Sequence, residues 1–396
     1  MSEEFNENKE DFSSILDEYM AKLWSYDPDN PQLGMRDKEE LQAIFTQAEF
    51  DFNPGAYQAG ELIYLSYYGG RIANAMQAEK MKNAAKRRSK AKEGEAVEES
   101  EAEKEEREAK QQLLEVTINR LRVIHRGLKD WIENLDGLYY YRSTYTKMPY
   151  IDGRGRVFIF IVDESIAKAK KRAEASKNLE LAYTDDIAHL SQVLYLNASE
   201  VIVVNDGLMP FEARRSDILP ASKAETREDE DNKASDNNRA LRYFVLLFHQ
   251  TMLSPVPENV DKEARQKALL SLEFQISIRL LKAITYFTVN NVGTDQISFV
   301  VVQDMQERHA LAAYVDEESI AATHGQVTHR ALPFFGIAKK LLVEMQNDAT
   351  DIEGIVINPG TLNFFVNKDW LERLDSLAKF MAKNNPQDKQ DKPKDD

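Results

Sequence analysis

At 396 residues, with 42% apolar and 30% charged side chains, the chain is long enough for two or three globular domains, each with its own core. Its 67 acidic residues outnumber 51 basic ones, and the net charge of −16 argues against a general nucleic-acid binder and against docking on anionic lipid. The absence of cysteine excludes disulfides, thiolate metal sites and thiol catalysis, and no apolar run approaches the roughly 20 residues that span a bilayer.

The opening Met1-Ser2-Glu3-Glu4-Phe5 has no basic and then apolar signal segment, so a cytoplasmic location without membrane insertion is expected. Residues 1–10 are acidic and expected to be disordered. Phe12, Ile15, Leu16, Met20 and Leu23 then fall at helical spacing, and a second helix is predicted from Asp37 to Phe50. A turn at Asn53-Pro54-Gly55 leads into an apolar and aromatic patch that includes Tyr57, Tyr64, Tyr67 and Tyr68. Gly69-Gly70 inside it predicts a kink or a close approach.

Residues 79–112 carry a basic run and then an acidic run, with few large apolar residues. They read as a charged arm or hinge, either a solvated helix or a disordered segment, with Gly94 and Ser100 favouring partial disorder and its opposite charges paired with each other. The next segment is the clearest helix. Leu114, Ile118, Leu121, His125, Leu128, Ile132 and Leu135 alternate by four and three, which fits an amphipathic helix on its own domain before it fits a coiled coil.

From Tyr139 the period shortens to that of strands, with Asp152-Gly153-Arg154-Gly155 read as a hairpin turn ahead of Val157–Val162. A helix is predicted from Asp163-Glu164, a strand at 179–183, a helix at 185–196 and a strand at 201–204. Residues 221–238 are an acidic linker. Beyond them come an apolar helix at 241–248, an ambiguous stretch at 262–282, strands at 284–289 and 297–302, a strand near 327–332, a helix at 334–345, a strand ending at Asn358 and a mobile tail.

Two landmarks recur. Val162-Asp163-Glu164-Ser165-Ile166 is echoed by Val315-Asp316-Glu317-Glu318-Ser319-Ile320, and Asn205-Asp206-Gly207 by Asn358-Pro359-Gly360. The interval from the aspartate to the asparagine is the same in both, which predicts a duplicated domain.

The stretch Gly354-Ile355-Val356-Ile357-Asn358-Pro359-Gly360, followed by Leu362-Asn363-Phe364 and Lys368-Asp369-Trp370-Leu371, resembles the close of the SseB-like domain, named after the bacterial enhanced-serine-sensitivity protein. Residues 238–376 carry the family's order of elements, and 113–220 resemble a more divergent copy with a shorter leading portion. The resemblance implies a bacterial cytoplasmic protein with α+β domains and says little about biochemistry. The expected class is therefore α+β, two tandem SseB-like domains behind a helical N-terminal module. Its divisions are a module at 1–78, the arm at 79–112, a first domain at 113–220, a linker at 221–237, a second domain at 238–376 and a tail at 377–396.

No catalytic constellation emerges. Asp163-Glu164 and Asp316-Glu317 suit helix starts better than acid–base pairs. His324 and His329 stand five apart, wrong for one helical face, and with His309 they make no recognisable metal site. No cofactor is expected. Asn205, Gly207, Asn358, Pro359 and Gly360 read as turn-formers. Protein recognition is the expected function, that of an adaptor with an unidentified protein partner. Tyr57, Tyr64, Tyr67, Tyr68 and the face Leu114, Ile118, Leu121, Leu128, Ile132 are its candidate contact surface, or else the core of the N-terminal module. A homo-oligomer is compatible with this reading. The competing reading is a small-molecule sensor or enzyme with a pocket between the repeats. Nucleic-acid association through 80–92 ranks last.

Overall fold

A computed structural model describes residues 38–384 apart from 48–49, 51, 93–99, 208, 223–224, 226–231, 256–260, 291–297, 305 and 325–326. The readings made for 1–37, for the middle of the acidic linker and for the tail beyond 384 lie outside the described residues. The chain forms two compact units. The first holds most of 1–222. The second holds the rest together with the short stretches 143–148 and 193–199.

In the first unit, α1 (Lys38–Thr46) precedes two long helices, α2 (Ala59–Lys92) and α3 (Glu101–Glu133). A capping box starts α3: the Ser100 hydroxyl accepts from the Glu103 N–H, and the Glu103 carboxylate accepts from the Ser100 N–H. Beyond the hairpin come β1 (Leu138–Ser143), β2 (Arg156–Phe160), α4 (Asp163–Ala175), β3 (Leu179–Thr184), α5 (Ile187–Leu196), β4 (Val201–Val204), β5 (Phe211–Arg214) and α6 (Arg215–Ile218). The sheet order is β3-β1-β2-β4-β5, with β2 and β4 parallel and Val157 opposite Ile202. Val157, Ile159 and Phe160 of β2 and Ile202, Val203 and Val204 of β4 are buried, as a central parallel pair requires.

The second unit repeats the plan. The hairpin of α7 (Asn232–Leu253) and α8 (Lys262–Lys282) leads to β6 (Ile284–Asn290), two short strands β7 (Ser298–Phe299) and β8 (Val301–Gln303), and β9 (His309–Tyr314). Then come α9 (Glu317–His324), β10 (His329–Pro333), α10 (Phe334–Gln346), β11 (Gly354–Ile357), β12 (Phe364–Asn367) and α11 (Lys368–Lys383). The sheet order is β10-β6-β9-β11-β12, again with a central parallel pair, β9 and β11. Apart from β7 and β8, which pair at β6 and β9, every strand has its counterpart in the first sheet. The architecture is α+β with a helical N-terminal region, and it is duplicated.

Two stretches left open by the sequence are helical, and the division of the N-terminal part needs correction. The ambiguous 262–282 stretch is helix α8, packed on α7 and α10: Ile276 and Leu280 of the helically spaced set are buried, whereas Phe274 of the alternating set is exposed. The arm is helical at 79–92 and 101–112, as part of α2 and α3; Gly94 lies outside the described residues. The N-terminal helices are no separate module. They are the leading hairpin of the first copy, they share a compact unit with its sheet, and the boundary read at 112–113 falls inside α3. That leading portion is longer than in the second copy, not shorter: 34 and 33 residues against 22 and 21.

Gly69-Gly70 causes no break in α2. A Cβ on Gly69 would stand 2.5 Å from the Phe45 ring and 2.8 Å from Leu121, so the glycine lets α1 and α3 approach. Arg120 of α3 ties in the end of α1 by donating to the Phe45 and Gln47 carbonyls. In the second unit α11 continues to Lys383, into the segment read as tail.

Candidate functional site

The repeated Asn-x-Gly turns are buried locks. Asn205 and Asn358 are fully buried, at φ of 52° and 46°, a left-handed conformation that asparagine tolerates better than most residues. The Asn205 Oδ1 accepts from the Ile161 N–H at 2.9 Å and from the Ser165 hydroxyl at 2.8 Å. The Asn358 Oδ1 accepts from the Val315 N–H at 2.9 Å, and its Nδ2 donates to the Ser319 hydroxyl at 3.0 Å. Each asparagine thus pins the end of one central strand to the start of the following helix. Gly207 and Gly360 follow at φ of 89° and 83°. Helices α4 and α9 clasp these turns: Lys168 donates to the Gly207 carbonyl and Thr323 to the Pro359 carbonyl.

This geometry shifts the repeat alignment by one residue. Ile161 and Asn205 are 44 positions apart, Val315 and Asn358 43. Ile161 therefore matches Val315, Asp163 matches Glu317, and Ser165 matches Ser319. The equal intervals between aspartate and asparagine come from matching letters across a one-residue difference. Asp163, Glu164 and Glu317 are exposed in the first turns of α4 and α9, where the helix dipole favours them. Asp316 lies one position earlier. Its Oδ1 caps α9 by accepting from the Ser319 N–H at 2.7 Å. Its Oδ2 meets Arg242 of α7, 5% exposed, which also donates to Ser319 and to Asn197.

Asn205→Ala or Asn358→Ala is expected to cost about 2 kcal/mol, since a buried N–H loses its acceptor and alanine resists positive φ. Urea unfolding measures it. A loss below about 0.5 kcal/mol at both positions would refute the lock.

A second repeated device was missed in the sequence. Asp152 and Arg156 form a closed turn: the Asp152 carboxylate accepts from the Arg154 N–H, the Arg156 N–H and the Arg156 guanidinium. Asp304 and Arg308 make the same bonds, with Gln306 in place of Arg154. Gly155 and Glu307 take positive φ at the same step. Burial alone would raise both carboxyls, but the arginine and backbone donors outweigh it and hold both below the usual range. The run read as a hairpin turn is this motif. The available signal was Asp and Arg four apart just ahead of a strand. The two arginines then differ. Arg156 pairs with Glu212 of β5, whereas Arg308 stacks on Phe365 of β12 at 3.5 Å. A groove of about 520 Å³ beside Arg308 is lined by Asp351, Glu353, Lys368 and Asp369 among others.

The candidate contact surface is mostly core. Tyr64, Tyr68, Leu114, Leu121, Leu128 and Ile132 are buried, and Ile118 is half-buried. Tyr57 is half-buried and stacks on Phe52, and Tyr67 accepts from Arg71. The helical spacing of the 114–132 face records packing within the first unit. His125 lies on that face too. It is buried against Phe211 at 5.5 Å, and burial pushes its pKa down to about 4. Of the other histidines, His309 lies 3.3 Å from Asp351 and His329 lies 3.9 Å from Glu317. Among the described residues no three His, Asp or Glu side chains group as metal ligands. Nor, among them, is any helix long and apolar enough to cross a membrane.

What stands free of the fold is the outer half of the α2–α3 hairpin. None of the described side chains at 77–92 or 101–112 is buried. Lys110 pairs with Glu79 at 3.0 Å, and Lys80 donates to Gln111, so the two helices are joined across the base of this arm.

No family model, no curated protein and no solved structure matches this chain.

Proposed function

We propose that this chain is a non-enzymatic protein-binding adaptor of the bacterial cytoplasm, built from two SseB-like domains, with the α2–α3 arm as its recognition element. One observation carries the reading. The second copy builds the same sheet behind a hairpin about twelve residues shorter in each helix, so about 18 Å of the first hairpin is not needed to complete the fold. That extension orders charged side chains and buries none of those described, a loss of chain entropy with no core in return. Contact with a partner accounts for it.

The polar groups singled out elsewhere support binding over catalysis. Asn205, Asn358, Asp316 and Arg242 bond to backbone, to one another or to the neighbouring Ser165, Ser319 and Asn197, all within the fold. The SseB-like reading rests on the 354–371 stretch, and the cytoplasmic one on the cysteine-free, acidic composition.

The test is affinity capture from a bacterial lysate with the full chain and with a variant in which 81–108 is replaced by a short glycine–asparagine turn. The expected result is a partner retained by the full chain and lost by the variant, with the unfolding midpoint unchanged. Equal capture by both would refute the arm as the recognition element.

A further inference from the structure

We infer that the arm pairs with the arm of a second copy of this chain, the outer half of α2 in one copy lying along the outer half of α3 in the other. The inference rests on the arm being the recognition element and names its partner.

The two helices of the arm carry opposite signs. Along 77–92, α2 has Lys80, Lys82, Lys86, Arg87, Arg88, Lys90 and Lys92 against one acid, Glu79. Along 101–112, α3 has Glu101, Glu103, Glu105, Glu106 and Glu108 against Lys104, Arg107 and Lys110. Pairs within the arm include Glu79 and Glu106 with Lys110 and the Glu103 capping box. Lys82, Glu101, Glu105 and Glu108 stay exposed, beside the 74% exposed Met81 and the exposed Ala84 and Ala85.

A surface that complements a basic helix beside an acidic one must hold the same two signs in reverse order. A polyanion such as nucleic acid would meet the acidic row, and a basic protein would meet the basic one. The same hairpin turned about a two-fold axis meets both requirements, setting α2 against α3 twice in a self-complementary contact. Met81 and its alanine neighbours supply an apolar strip for that contact.

Sedimentation of the intact protein tests this. A dimer is expected at low salt, about 20 mM, dissociating near 0.5 M as the charges are screened. Two variants, Lys82→Glu/Lys86→Glu and Glu105→Lys/Glu108→Lys, should each be monomeric with wild-type helicity by circular dichroism. Mixed in equal amounts they should associate, because each reversed helix then finds its complement in the other variant. Restoration by mixing cannot arise from repair within one chain. A wild type that is monomeric at low salt, or a mixture that stays monomeric, would overturn the pairing. So would a salt-sensitive duplex-DNA complex abolished by the Lys82→Glu/Lys86→Glu change. A monomeric wild type that still loses a captured protein on arm removal would sink the pairing and leave the adaptor reading standing.

Discussion

Replacing Arg242 with methionine is expected to remove about 3–5 kcal/mol of unfolding free energy, the scale for stripping one partner from a buried ion pair. Arg242 is 5% exposed and Asp316 12%, so the carboxylate left behind is too enclosed for water to replace the guanidinium. Ser319 and Asn197 lose a donor in the same change. Adding Asp316→Asn should recover part of the loss, since asparagine can still accept from the Ser319 N–H while the stranded charge is gone. Urea unfolding of the two single variants and the double gives the coupling directly. A loss below about 1 kcal/mol for Arg242→Met, or a double variant weaker than both singles combined, would show that the pair contributes little.

The second large effect is acid sensitivity through His125. A free histidine takes up a proton near pH 6.5, whereas burial holds this one down to about 4. Between those values the unfolded chain binds a proton that the folded chain refuses. Stability therefore falls as pH falls through that window, by about 1.4 kcal/mol per unit and about 3 kcal/mol in all. His125→Phe, which keeps an aromatic ring against Phe211, should remove this slope. His249, its pKa also lowered by burial, adds a contribution of the same sign from the second unit that the substitution leaves in place. Asp152 and Asp304, held below the usual carboxylate range, lose their contribution only at lower pH, beneath this window. The check is unfolding free energy from pH 7 to pH 4 for wild type and variant. Parallel curves would mean that His125 is protonated in the folded protein.

The duplication was legible because a left-handed step between strand and helix restricts the residue choice. Asn205 and Asn358, with the glycines two positions on, survive as letters in both copies because few other residues hold that backbone. The alignment around them was misread by one, since Asp316 and Asp163 match as letters while only Asp316 caps a helix. The Asp–Arg turn escaped because Gly153-Arg154-Gly155 and Met305-Gln306-Glu307 share no letter, although the bonds around them coincide.

The sequence by itself determined the α+β class, the duplication, the strands β1–β4, β6, β10 and β11 and the helical face at 114–132. Each is a local pattern of period, turn chemistry or charge, written within a few turns of chain. Only the tertiary structure decided that α2 and α3 are the leading hairpin of the first copy, that Gly69 is a contact point and that the tyrosine patch is largely core. Those facts depend on what comes to lie beside a residue from far along the chain: Phe45 and Leu121 against Gly69, Phe211 against His125, Arg242 against Asp316. An apolar helical face looks the same in sequence whether a neighbouring helix of the same unit or another molecule covers it, and packing alone tells the two apart.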